Sequence, residues 1–185
     1  MKNSIIAFVL IYLVLGAGCA TTQESVQTQQ AKPQEEGLQW SVPAAGTHWV
    51  TGNSKYIEGK YSITELVPKG ETVNNWSELL TIQNFAAILG TPEAFLDQLK
   101  TSREKLCPGT TTWNVIAKDE RSILYEWKAK PCVGWPDQHE ISRIIDGQWN
   151  RFRIAYTAKV KEISVEKRDL MIQSMSEATV KLKDN

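Results

Sequence analysis

The chain has little of what most catalytic sites are built from. Of its 185 residues only two are histidines, His48 and His139, and three are cysteines, Cys19, Cys107 and Cys132. Neither histidine stands in a metal-ligand spacing. His139 is followed by Glu140, but the second histidine of an H-E-x-x-H motif would fall where Arg143 stands. His139 is therefore expected to be a surface histidine on a strand. A site made of Asp137, His139 and Glu140 is weak, because a strand sends neighbours 139 and 140 to opposite faces. The sequence lacks a G-x-S-x-G elbow and a glycine-rich phosphate loop, which removes the motifs of serine hydrolases and nucleotide binders. Charge of one sign is also not in excess: 21 Lys and Arg balance 21 Asp and Glu. No global field draws such a chain to nucleic acid. The absence of an internal repeat excludes solenoids and propellers. No cofactor or metal ion is implied.

A bilayer-spanning run is missing too, since crossing the hydrocarbon core takes roughly 20 apolar residues. The apolar stretch from Ile5 to Leu15, behind the positive Lys2, stops short and meets Gly16, Ala17, Gly18 and Cys19. This is the pattern of a signal peptide over residues 1–18, which stands outside the fold. Small residues directly before Cys19 resemble the lipobox of bacterial lipoproteins, in which that cysteine is diacylated and begins the mature chain. The lipobox usually has Leu three places before the cysteine; here Gly16 stands there and Leu15 one place earlier. An ordinary signal peptide with an incidental Cys19 is the other reading. The lipobox resemblance implies a membrane partner through lipid on Cys19. Because Ala20 is not the aspartate used for inner-membrane retention, it also implies the outer membrane, facing the periplasm.

Behind the cysteine, residues 19–37 are almost free of apolar side chains and read as a disordered tether, because they cannot bury enough surface to offset ordering. Residues 38–185 are then one globular domain of ordinary size. Its entry, Leu38 to Val50, reads as irregular chain leading to a short edge strand. Tyr61 to Val67 is rich in β-formers and ends at the turn residues Pro68-Lys69-Gly70. Asn75 with Glu78 three residues on fits a capping box, and Leu79, Ile82, Ala86 and Leu89 recur at helical spacing up to Gly90. A helix is expected from Trp76. Thr91-Pro92 should start a second helix, with Phe95, Leu96, Leu99 and Leu106 on its buried side. Two hairpins follow: Thr111–Lys118 with Ser122–Lys128, and His139–Ile145 with Arg151–Thr157. Trp113, Val115 and Ala117 are expected on one face of the first, and Asp146-Gly147 marks the turn of the second. Ser164 should cap a terminal helix whose Met171, Met175, Ala178 and Leu182 form one stripe. The order predicts an α+β fold, an antiparallel sheet with helices packed on one face.

Two stretches, TELVPKGETVNNWSELLTIQ (64–83) and HEISRIIDGQWNRFRIAYTAK (139–159), resemble a group of small, uncharacterised proteobacterial lipoproteins and periplasmic proteins, a likeness that implies no activity. The order of elements is more distantly similar to PsbP-like α/β sandwiches, a fold used mainly by accessory proteins of larger assemblies. In an oxidising periplasm, with Cys19 acylated, Cys107 and Cys132 are the remaining pair and are expected to form a disulfide. Their midpoint falls in the loop of the first hairpin, so the fold brings them together; two buried free thiols are the other reading. Arg151 and Arg153 share a strand face and, with Arg143, are candidates to contact an anionic partner. The solvated face of a half-buried sheet gives the same pattern. Seven tryptophans are many for this length and fit either a Trp-rich core and edge or a stacking groove. Two functions remain open: an envelope accessory or binding module that acts on an unknown envelope protein partner without catalysis, and a periplasmic hydrolase whose site is assembled from scattered residues.

Overall fold

A computed structural model of the chain describes residues 35–43 and 46–183. The expected signal peptide, Cys19 and most of the expected tether lie outside the described residues. The tether reading ends two residues too late, because β1 (Glu36–Gln39) already pairs with β9 (Thr179–Leu182). Between them run β2 (Trp49–Ile57), β3 (Tyr61–Pro68), β4 (Glu78–Phe85), α1 (Pro92–Leu106), β5 (Thr111–Lys118), β6 (Ser122–Ala129), β7 (Gln138–Asp146), β8 (Arg151–Ala158) and α2 (Val165–Ser176). The main sheet has the order β2-β3-β4-β8-β7-β6-β5, and every neighbouring pair in it is antiparallel. The α+β expectation holds.

The helices do not share one face. Ile123, Tyr125 and Trp127 of β6 and Ile144 of β7 pack against Leu96 of α1, whereas Leu124, Ile141, Ile145, Ile154 and Tyr156 pack against Met171 and Met175 of α2. Successive strand residues point to opposite faces. Apolar neighbours such as Ile123-Leu124 and Ile144-Ile145 therefore make both faces of the central strands apolar, and each face takes a helix. The sandwich has three layers in its centre.

The segment from Trp76, expected as a helix, is instead the turn into strand β4. It bonds β3 along one edge, with Leu80 opposite Leu66, and β8 along the other, with Leu80 opposite Tyr156. Two ladders of backbone hydrogen bonds outweigh a local helical preference, and Leu80, absent from the helical stripe, is fully buried. Helix α1 starts where Thr91 and Pro92 predict, with the Thr91 hydroxyl accepting from the Ala94 N–H. In β5 a bulge at Ile116 shifts the register, so Ala117 pairs with Leu124 and leaves the face of Trp113 and Val115 where it was expected.

Helix α2 is capped by Ser164 but stops at Ser176, short of Ala178 and Leu182. Arg143 donates to the carbonyls of Met175, Ser176 and Ala178, supplying a cation at the negative end of the helix dipole. The freed chain then becomes β9. At the C-terminal end of β7, the β7–β8 loop closes over the Glu36 carboxylate, which accepts from the N–H groups of Gln148, Trp149 and Asn150. A Cβ at Gly147 would lie 2.5 Å from that carboxylate, so close approach is what glycine supplies there. Among the described residues no helix is long and apolar enough to cross a membrane.

Candidate functional site

Several titratable residues of the central strands sit inside the protein, and two clusters of them lie on opposite faces. On the α1 face, Glu140 accepts hydrogen bonds from the Trp127 indole N–H (2.8 Å), the Ser142 hydroxyl (2.5 Å), the Thr157 hydroxyl (2.8 Å) and Arg153 Nη2 (2.5 Å). Arg153 also donates to the Tyr125 hydroxyl and to Gln83 Oε1. The Glu140 and Tyr125 partners hold the Arg153 guanidinium charged despite its burial, raising its pKa above the ordinary value, while burial pushes the Tyr125 phenol up. Each of these groups thus meets a complementary one, as buried polar groups must.

On the α2 face, His139 is fully buried, not at the surface as its strand position suggested. Its Nδ1 accepts the Ile163 N–H at 3.0 Å, so Nε2 carries the ring proton and faces Glu126 Oε2 at 3.3 Å. Glu126 is held bidentately by Arg168 (2.8 and 2.9 Å) and accepts from Asn114. His139 and Glu140 do lie on opposite faces, so the trio with Asp137 does not assemble. Among the described residues no three His, Cys, Asp or Glu side chains gather in a metal-holding arrangement.

This second cluster ties stability to pH. Burial lowers the His139 pKa below 6.5, and the Arg168 hydrogen bonds hold Glu126 down at about 2 against an ordinary 4.5. A depressed histidine contributes stability that is complete above the unfolded pKa near 6.5 and fades as pH falls below it. The depressed carboxylate contributes stability complete above 4.5 and lost toward pH 2, about 3 kcal/mol in all. The melting temperature is therefore expected to fall in two stages between pH 7 and pH 2. In His139→Gln the upper stage should vanish and the lower persist; an upper stage of unchanged size in that variant contradicts the assignment.

The three arginines proposed for an anionic partner are already engaged. Arg151 is buried and pairs with Asp146 through Nε (2.6 Å) and Nη2 (2.8 Å), and it donates to the carbonyls of Leu89 and Gly90. Arg143 caps α2 and Arg153 serves Glu140. Arg151 and Arg153 do share a strand face, but it is the α1 face of the sheet and not a solvated one. Strand alternation located the side chains correctly; it carried no information about which face the helices would cover.

What the fold leaves open is the end where α1 finishes. Cys107, fully buried, is bonded to Cys132, with Cα atoms 5.9 Å apart. The bridge joins the end of α1 to the link between β6 and β7. There Cys132 and Trp135 exchange both backbone hydrogen bonds (3.1 and 2.9 Å) across Val133-Gly134. Both central residues have positive φ, 50° and 81°, which makes a two-residue turn of the type that usually takes Asn-Gly. A β-branched residue there costs about 1–2 kcal/mol. Yet Val133 stands 71% exposed, with Trp135 47% and Leu106 53% exposed beside it.

Next to this apex lies an open groove of about 520 Å³, lined by Thr110, Thr112, Lys128, Lys130, Asp137 and Lys161 among others. Lys128 pairs with Glu162, but Lys130, Lys161 and Lys105, the neighbour of Leu106, pair with no carboxylate among the described residues. None of these residues stands out by spacing or motif as a site. What local signal there is lies in Pro131-Cys132-Val133-Gly134-Trp135-Pro136, a turn dipeptide between two prolines with apolar residues at its apex. Of the seven tryptophans, Trp76 and Trp127 are in the core, while Trp135 and Trp149 are exposed.

The fold is an α+β sandwich, an antiparallel sheet with a helix on each face, and its disulfide-pinned end carries the exposed Leu106, Val133 and Trp135. No protein family and no curated protein matches the chain. Among solved structures it is similar to the solution structure of cyanobacterial PsbP (CyanoP) from Synechocystis sp. PCC 6803, at 9% identity and a TM-score of 0.38, over 83% of this chain and 96% of that one.

Proposed function

We propose that the protein is an envelope lipoprotein, anchored at the outer membrane by lipid on Cys19, whose domain is a non-catalytic accessory or binding module. The disulfide end carries the reading: Leu106, Val133 and Trp135 stay half to largely exposed beside a covalent bridge, and such an exposed apolar set suits binding. The Cys107–Cys132 bridge favours an oxidising compartment, and the leader ending at Cys19 supports export to it. The likeness of the 64–83 and 139–159 stretches to small proteobacterial lipoproteins points the same way.

Fatty-acid labelling and cell fractionation test the anchor. The wild-type chain is expected to take up labelled fatty acid and sediment with membranes, and Cys19→Ser to appear soluble in the periplasm. A wild-type chain that takes up no label refutes the lipoprotein reading. Screening against peptidase, esterase, glycosidase and phosphatase substrates tests the other half. Turnover abolished by a single substitution would establish the hydrolase instead.

A further inference from the structure

We propose that the disulfide-pinned end is a membrane-contact tip that seats on an anionic lipid surface. This deepens the binding reading above by naming what the end binds. The turn Val133-Gly134 sets an apolar, strained residue at its apex where a polar one would relax the backbone. A side chain kept there against local preference is the kind of local inconsistency that marks functional sites, and an apolar one suits an apolar receiver. Trp135 follows, its indole N–H without a protein acceptor among the described residues, and an indole with an apolar body and a wet edge suits the headgroup level of a bilayer. Leu106 stands across the Cys107–Cys132 bridge from the turn, its carbonyl 3.9 Å from Cys132 Sγ.

The rim identifies the surface further. Lys105, Lys130 and Lys161 pair with no carboxylate among the described residues, and Lys130 leads directly into the turn through Pro131. Protein interfaces are depleted in lysine and enriched in arginine. Lysines around an apolar tip match instead the phosphates of anionic headgroups, each near such a surface strengthening binding by roughly fivefold.

The test uses the Cys19→Ser chain freed of its leader, residues 1–18, so that it carries neither acyl group nor apolar leader, sedimented with vesicles of phosphatidylcholine alone or mixed with phosphatidylglycerol. Binding is expected to the mixed vesicles, severalfold weaker to the neutral ones, and weakened by salt through screening. Lys130→Gln and Lys161→Gln should each reduce it by roughly fivefold. Trp135→Ser should reduce it at least as much. Val133→Asn is the discriminating variant: asparagine takes the left-handed turn readily, so its melting temperature should hold or rise while vesicle binding falls. Three results overturn the proposal: no sedimentation with either vesicle, as when the tip docks on a protein; equal binding to both; or Val133→Asn binding like the parent chain. Because this chain lacks the acylated cysteine, failure here leaves the lipid anchor at Cys19 standing, and absence of fatty-acid label in the wild type leaves the tip standing.

Discussion

Replacing Arg153 by leucine is expected to destabilise the domain by about 3–5 kcal/mol, the cost of leaving a buried carboxylate without its cation. Glu140 would keep the Trp127, Ser142 and Thr157 donors but lose the charge that balances it, and the Tyr125 hydroxyl and Gln83 amide would lose their donor as well. For a domain of this size the melting temperature should fall by roughly 10 °C or more. Pairing Arg153→Leu with Glu140→Gln removes the stranded charge, so the double variant should be more stable than Arg153→Leu alone. Urea unfolding of the two single variants and the double gives the coupling directly. Strict additivity across that cycle would mean that the ion pair does not act as a unit.

The disulfide should rank close behind. Its loop spans 25 residues, and in the chain-entropy account closing such a loop stabilises the folded state by about 3.5 kcal/mol. The double variant Cys107→Ser/Cys132→Ser is expected to melt roughly 10 °C lower, and reductant should shift the parent chain in the same direction while leaving the variant unmoved. The loss should be local before it is global. Backbone amides of the 131–136 turn and the last turn of α1 should exchange faster with solvent, because the bridge alone ties those two segments covalently. Two thiols that alkylate in the denatured, non-reduced protein would contradict the bridge outright.

Where the sequence was read correctly, the signals were local. Thr91-Pro92 sets the start of α1 because a hydroxyl acceptor and a preorganised φ need no distant partner. Both hairpins were legible because strand alternation and a short polar loop specify each other over about twenty residues. The cysteine pair followed from the first hairpin, whose closure brings 107 and 132 together. The failure at β4 has the same origin in reverse. Leu79, Ile82 and Ala86 satisfy a helical period, but the segment lies between β3 and β8, which are far apart in sequence and between them bond both of its edges. The terminal helix was read too long for a like reason, since β9 exists only because β1, more than a hundred residues earlier, pairs with it.

The functional residues divide along that line. His139, Arg151 and Arg153 looked like surface groups because strand period tells which residues share a face and not what covers it; adjacent apolar residues on β6 and β7 required a helix on each side. The sequence by itself determined the α+β class, the cap of α1 and the cysteine pairing, all encoded within a few turns or one hairpin. Tertiary structure alone decided that β4 is a strand, that His139, Glu140, Arg151 and Arg153 are internal, and that the Cys107–Cys132 bridge ties the end of α1 beside Leu106 to the exposed Val133-Gly134 turn. Contacts among residues distant in sequence set these, and their free energies exceed the few tenths of a kcal/mol per residue that local propensity supplies.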